Sequence, residues 1–198
     1  MQLSGSNLTC ERGGRIVFRN VNFAVGTGEL MQLTGPNGSG KSSLLRLVAG
    51  LNEPGEGRLE LAGGDNDLTI GQQAHYIAHQ EAVKAALSVA ENIGFWSTFL
   101  GGADVGEALA AFDLTRLAAY PAGLLSAGQK RRLALSRLVA VRRALWLLDE
   151  PTVGLDTTSQ EKLASVMAAH LAEGGMIIAA THVPLGLEPK RRLELGGA

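Results

Sequence analysis

The chain has 198 residues, with 18 Lys and Arg against 19 Asp and Glu and a formal net charge of -1. That length suits one domain carrying a small inserted lobe, and the charge balance argues against a nucleic-acid partner. One cysteine, Cys10, excludes a disulfide within the chain and fits a reducing compartment. The N-terminus lacks the pattern of a charged start followed by an apolar core, and no apolar run approaches the roughly 18 residues that span a bilayer. The expectation is a cytosolic protein that reaches any membrane through a partner.

From Leu3 to Gly28, short apolar stretches broken by Gly13–Gly14 and Gly26 predict strands of a small antiparallel sheet. Glu29–Thr34, ELMQLT, predicts a short strand, and Ser42–Leu51, with Leu44, Leu45 and Leu47, predicts a helix. Between them lies GPNGSGKSS, Gly35–Ser43. Its Gly35-x-x-x-x-Gly40-Lys41-Ser42 is a full phosphate-loop pattern in the strand–loop–helix context that pattern needs. Glycines let the backbone turn so that successive N–H groups face phosphate oxygens, and the following helix adds its positive end. Lys41 is expected on the β- and γ-phosphates and Ser42 on Mg²⁺.

Gly55–Asp67 is glycine-rich with strand fragments and reads as turns, and His75–His79 as a short strand. Ser88–Gln129 has a mostly helical pattern with breaks at Gly101–Gly102 and Pro121–Gly123, which marks an inserted helical lobe. Gly128–Arg142 predicts a strong helix, and Ala144–Leu148 a buried strand ending at Asp149. Thr157–Glu173 predicts a helix closed by Gly174–Gly175, followed by a buried strand over Met176–Thr181. The basic clusters Lys130–Arg131–Arg132, Arg142–Arg143 and Lys190–Arg191–Arg192 read as solvated helix faces and a polar tail. His75, His79 and His170 read as structural or surface residues, since nothing at their spacing forms a metal site.

LWLLDEP, Leu145–Pro151, places two carboxylates at the end of an apolar strand, where open α/β sheets bind their ligands. Asp149 is expected in the Mg²⁺ shell, and Glu150 as the general base for the attacking water. LSAGQ at Leu125–Gln129, which opens the helix that precedes this strand, looks like a second phosphate-binding turn; taken alone, it also reads as an ordinary Ser-capped helix start.

Phosphate loop, LSAGQ, an apolar strand ending in Asp-Glu and then a histidine together resemble the nucleotide-binding subunit of an ABC transporter, over essentially the whole chain. The resemblance implies an α/β fold, a P-loop NTPase core with an N-terminal antiparallel β-subdomain and a small helical lobe at about 84–130, all in a single domain over 1–198. It implies ATP and Mg²⁺ as cofactors. Gly35, Pro36, Asn37, Gly38, Ser39, Gly40, Lys41, Ser42 and Ser43 would hold the nucleotide, and Ser42, Gln80 and Asp149 the metal.

In that family the signature element caps the ATP of a facing subunit. The resemblance therefore implies a homodimer in which Ser126, Gly128 and Gln129 act in trans, with Ala127 in place of a usual glycine. Gln80 resembles the glutamine that senses Mg²⁺ and water, and Asp156 in VGLD the aspartate that contacts the opposite subunit. His182 in AATH resembles the histidine that touches the γ-phosphate. Glu150, His182 and Gln80 are the expected catalytic set. The aromatic that usually stacks on adenine is missing from LTCERGGR; Cys10 or Arg12 stands near its place, and a guanidinium can stack.

Phe95, Trp96 and Phe99, after Gln80, are expected either to grip a helix of a membrane subunit or to fill the core of the lobe. CERGGRIVFRNVNF, LSAGQKRRLALSRL, LWLLDEPTVGLD and THVPLGLEPKRRLEL resemble the ATP-binding subunits of bacterial cytochrome c maturation, also called haem exporter ATP-binding proteins. That implies a peripheral subunit on the cytoplasmic face of the inner membrane, bound to integral membrane permease subunits. Its ATP hydrolysis would drive release of a haem-loaded chaperone. The alternative is the ATPase of another small ABC transporter with a different cargo. A soluble ABC-type ATPase acting on nucleic acid fits poorly, because the chain has one ATPase unit, no heptad run and no basic excess.

Overall fold

The computed structural model describes residues 1–102 and 105–196. The N-terminal segment forms β1 (Gln2–Arg12) and β2 (Arg15–Gly26), an antiparallel pair joined at Gly13–Gly14. A third strand, β4 (Glu56–Ala62), pairs with the other edge of β1 and sets Leu61 opposite Leu3. This corrects the expectation of turns over Gly55–Asp67. The alternation Arg58-Leu59-Glu60-Leu61 sends both leucines against the core, a period-2 signal that the surrounding glycines obscure.

The second sheet is parallel throughout, in the order β5 (Ala74–Ile77), β6 (Leu145–Asp149), β7 (Met176–Ala180), β3 (Leu30–Thr34), β8 (Arg191–Glu194). Strands covered on both faces read as continuous apolar runs, and β6 and β7 are buried at every position. The pleat sorts β6 between two cores. Leu145 and Leu147 face α1 (Lys41–Val48) and the antiparallel sheet, alongside Leu3, Leu44 and Leu45. Trp146 and Leu148 face α4 (Ala127–Ala140) and α5 (Thr157–Ala172), alongside Leu135, Leu138 and Met167. The lobe helices α2 (Val89–Leu100) and α3 (Val105–Ala111) add Ile93 and Leu109 to this second cluster, so the lobe and the sheet share one apolar core through α4.

The expected polar tail is partly a strand. β8 closes the sheet beside β3, and Arg191 pairs with Glu29 at 2.7 Å. An edge strand facing water tolerates such charge, and the charge hides it from a hydrophobicity reading. The basic clusters divide likewise. Arg131 is 2 % exposed and Arg137 is 8 % exposed, which overturns the solvated-face reading for Arg131. Arg131, Leu135 and Leu138 stand at i, i+4 and i+7, and that spacing marks one helix face.

The sheet places the predicted chemistry at one edge. β3 runs into the phosphate loop, β6 ends at Asp149, β7 leads to His182, and β5 leads to Gln80. All four lie beyond the carboxyl ends of parallel strands, and β7 lies between β3 and β6.

Candidate functional site

The phosphate loop needs glycine for steric reasons. Gly35, Gly38 and Gly40 have φ of 128°, 84° and 101°, a region L side chains rarely adopt. A β-carbon on Gly35 would stand 2.1 Å from the Leu195 carbonyl oxygen, because the loop passes against the end of β8. The Lys41 ammonium lies across the loop, donating to the carbonyls of Gly35 at 2.6 Å and Pro36 at 3.1 Å. Ser39 Oγ is buried in the loop without a hydrogen-bond partner.

Helix starts separate this site from ordinary caps. α2, α4 and α5 begin on Ser88, Ser126 and Asp156, each of whose side chains accepts from a backbone N–H of the first turn. α1 begins on Gly40, with no side-chain cap and no acidic residue in its first turn. Its first N–H groups and the positive end of its dipole are therefore left for an anion.

A cavity of about 390 Å³ lies beside that helix start, lined by Asn37, Gly38, Gly40, Lys41, Ser42 and Ser43, together with Asp149, Glu150, Arg12 and Val17. Asp149 is 6 % exposed at the end of β6. Glu150 takes up a left-handed backbone, φ 45°, and its N–H donates to the Ala180 carbonyl at 2.9 Å. A non-glycine residue held in that region marks a constrained, often functional position. The cavity thus brings a cationic cradle and two carboxylates together, with the hard oxygen donors Ser42 and Asp149 at the same place. Such donors suit Mg²⁺.

The adenine question narrows to one residue. Cys10 is 1 % exposed, and burial raises its thiol pKa, so it does not reach the cleft. Arg12 is exposed and lines it.

Other expected residues lie elsewhere. Gln80 is exposed in a bend three residues past β5, rather than at the end of the strand. His182 is exposed and lines a separate cavity of about 660 Å³ with Gln32, Arg192 and Glu194. Ser126, Gly128, Gln129 and Asp156 do not line the phosphate-loop cavity. Ser126 and Gln129 form a reciprocal capping box at the start of α4, with Gln129 Oε1 accepting from Ser126 N at 2.9 Å and Ser126 Oγ from Gln129 N at 3.3 Å. Asp156 caps α5 by accepting from Ser159 N at 2.8 Å, and hydrogen bonding from the Ser159 side chain, with that from its backbone N–H, holds its carboxyl below the usual range. A β-carbon on Gly128 would stand 3.0 Å from the Gly154 carbonyl, so the LSAGQ turn packs against the loop that carries Asp156.

The histidines set aside as structural or surface residues have such places. His75 Nε2 lies 2.7 Å from the Val141 carbonyl, and burial pushes its pKa down to about 4. The His170 ring stacks on Trp146 at 3.8 Å, and His79 is exposed. Phe95 and Phe99, 40 % and 71 % exposed, stack at 6.0 Å on the surface, so these two rings are not lobe core.

An ABC transporter family model matches residues 18–153. A cytochrome c biogenesis ATP-binding export protein CcmA of Nitrobacter winogradskyi is 54% identical over 200 residues, covering all of both chains. That of Bradyrhizobium diazoefficiens is 53% identical, covering all of this chain and 99% of its own. Among solved structures, an ATP-binding subunit of an ABC transporter aligns with a TM-score of 0.89 at 25% identity, over 98% of this chain and 86% of that one. The dimeric post-hydrolysis state of the ATP-binding cassette MJ0796, bound to ADP and Pi, aligns at 0.84 with 26% identity, over 98% and 94%. With a phosphate-loop cradle facing two strand-end carboxylates and relatives similar over its full length, this chain belongs to the ABC transporter family, in the group of cytochrome c biogenesis ATP-binding export proteins.

Proposed function

We propose that this chain is the ATP-hydrolysing subunit of a membrane complex for cytochrome c maturation, and that its turnover drives release of a haem-loaded chaperone. The observation that carries the chemistry is the shared cavity of the uncapped α1 start, Lys41, Ser42, Asp149 and Glu150. The cargo assignment rests on full-length similarity to proteins named for cytochrome c biogenesis.

In this reading the backbone N–H groups of the loop and of the α1 start bind the triphosphate. Lys41 leaves the Gly35 and Pro36 carbonyls for the β- and γ-phosphate oxygens. Ser42 and Asp149 would hold Mg²⁺, with Gln80 moving in from its exposed bend; when bound, the ion neutralises phosphate charge. Glu150 accepts a proton from water as the water oxygen bonds to the γ-phosphorus. The bond from that phosphorus to the bridging oxygen breaks, leaving ADP and inorganic phosphate. Arg12 stacks on the adenine.

His182 contacts the γ-phosphate only after it moves toward the cleft. Ser126, Gly128, Gln129 and Asp156 act across a homodimer, where α4 presents its start to the nucleotide on the facing chain. The chain works as one domain over 1–198, with its lobe at about 84–130. Phe95, Trp96 and Phe99 form the docking surface for integral permease subunits at the cytoplasmic face of the inner membrane. No helix among the described residues is long and apolar enough to cross a membrane.

The test uses cells whose only copy carries Lys41→Ala, read by haem-stained gels and haem absorbance. Loss of c-type cytochromes with b-type haems intact is expected. Unchanged c-type cytochromes would reject the haem-related role and leave the ATPase chemistry to be tested separately.

A further inference from the structure

Arg131 lies six residues past Leu125 in the helix that LSAGQ opens, yet its guanidinium is buried against the other end of the site. Its Nη2 donates to the Asp149 carbonyl at 3.1 Å and the Glu150 carbonyl at 2.7 Å. Its Nε donates to the Pro151 carbonyl at 3.3 Å, and its Nη1 to the Ala78 carbonyl at 2.8 Å. Four carbonyls from two loops converge on one side chain that is 2 % exposed. Among the described residues no carboxylate oxygen forms a salt bridge with it. Backbone carbonyls therefore satisfy its donors, and the nearby charges of Glu81, Asp149 and Glu150 also favour the buried cation.

The place it grips is the constrained one. Glu150 has φ 45°, its N–H is tied to the Ala180 carbonyl, and Arg131 straddles the two peptide groups that flank its α-carbon. A left-handed glutamate persists only where its surroundings over-determine it. Arg131 supplies that constraint from the carbonyl side, as β7 does from the amide side.

We propose that Arg131 is a positioning residue for Glu150: it holds the backbone that aims the carboxylate at the attacking water, and through Ala78 it joins the start of the Gln80 loop to the same clamp. This rests on the reading of Glu150 as general base. It also couples the two phosphate elements mechanically. A displacement of α4 at its LSAGQ end is transmitted through one rigid guanidinium to the carboxylate of its own chain's site.

The experiment compares full-length wild type, Arg131→Met, Arg131→Lys and Glu150→Gln for ATP turnover, affinity for a fluorescent ATP analogue, ATP-dependent dimer by size exclusion, and melting temperature. Arg131→Met keeps length and removes every donor. Its turnover is expected to fall about 10- to 100-fold, the loss that follows when a reacting group is misplaced by about 1 Å. Analogue affinity should stay within about twofold, and ATP-bound dimer should accumulate as it does for Glu150→Gln. Arg131→Lys, with one flexible donor group, should recover part of the rate, and it carries the comparison alone if Arg131→Met does not fold.

Wild-type turnover in both Arg131 variants, beside an inactive Glu150→Gln, overturns the positioning role and leaves the base in place. A turnover loss matched by equal losses of nucleotide affinity and melting temperature overturns it in favour of a purely structural arginine. Wild-type turnover in Glu150→Gln overturns the base assignment, and the proposal with it.

Discussion

Gly35→Ala and Gly38→Ala separate two reasons for glycine in one loop. Both residues have positive φ, 128° and 84°. A β-carbon at Gly38 meets nothing within 4 Å, so Gly38→Ala carries only the left-handed backbone penalty, about 1–2 kcal/mol. For a chain of this size that is a fall of roughly 2–8 °C in melting temperature. At Gly35 the added carbon stands 2.1 Å from the Leu195 carbonyl oxygen and 2.9 Å from Ser39 Oγ. Leu195 cannot withdraw freely, because its N–H donates to the Thr34 carbonyl at 2.9 Å and closes the β3–β8 pairing. Overpacking adds about 1–3 kcal/mol, so Gly35→Ala should cost about 2–5 kcal/mol, a fall of roughly 4–20 °C. Melting curves of the nucleotide-free proteins, followed by circular dichroism, decide the matter. Equal shifts for the two variants would show that the β8 contact does not constrain the loop.

Three further outcomes follow from the geometry. The folded-state pKa of His75, about 4, lies below its ordinary 6.5, so the unfolded chain takes up the proton first. Stability is then flat above about pH 7 and falls by about 3 kcal/mol as pH drops from 6.5 towards 4. Urea midpoints at pH 7 and pH 4.5 should show this component in wild type and not in His75→Leu, and identical slopes would exclude it. Ser126→Ala removes the capping box of α4 and should cost about 1 kcal/mol in the isolated chain. A turnover loss well beyond that in the ATP-bound dimer, seen in steady-state assays, is the mark of a contact across the interface. Phe99→Asp, at a side chain 71 % exposed, should change stability by no more than about 0.5 kcal/mol while abolishing co-purification of the membrane subunits; retained co-purification would place the docking surface elsewhere.

Local patterns revealed much of the site. The phosphate loop, the Asp149–Glu150 pair and the LSAGQ helix start are contiguous stretches whose chemistry depends on spacing along the chain, and each lies where the reading put it. β4 and β8 were not legible, because glycines mask the first and surface charge the second. Arg131 was misread for a related reason. A run of three basic residues looks solvated until helical periodicity assigns the middle one to the same face as Leu135 and Leu138. The difference between Cys10 and Arg12 is also one of facing: residues two apart share a face only where the strand is regular, and β1 shifts register around Cys10.

The kind of chemistry is legible in short contiguous segments, a glycine loop with Lys41 and Ser42 and a strand ending in two carboxylates. Which residues share a cavity depends on the fold. The parallel sheet sets β7 between β3 and β6, and this brings the carboxylates, more than a hundred residues downstream, to the loop's cradle. It leaves His182 and Gln80 exposed outside that cavity and buries Arg131 against the Asp149–Pro151 backbone. Long-range proximity of this kind depends on which faces bury together and on which carbonyls need a donor, and no local spacing encodes either.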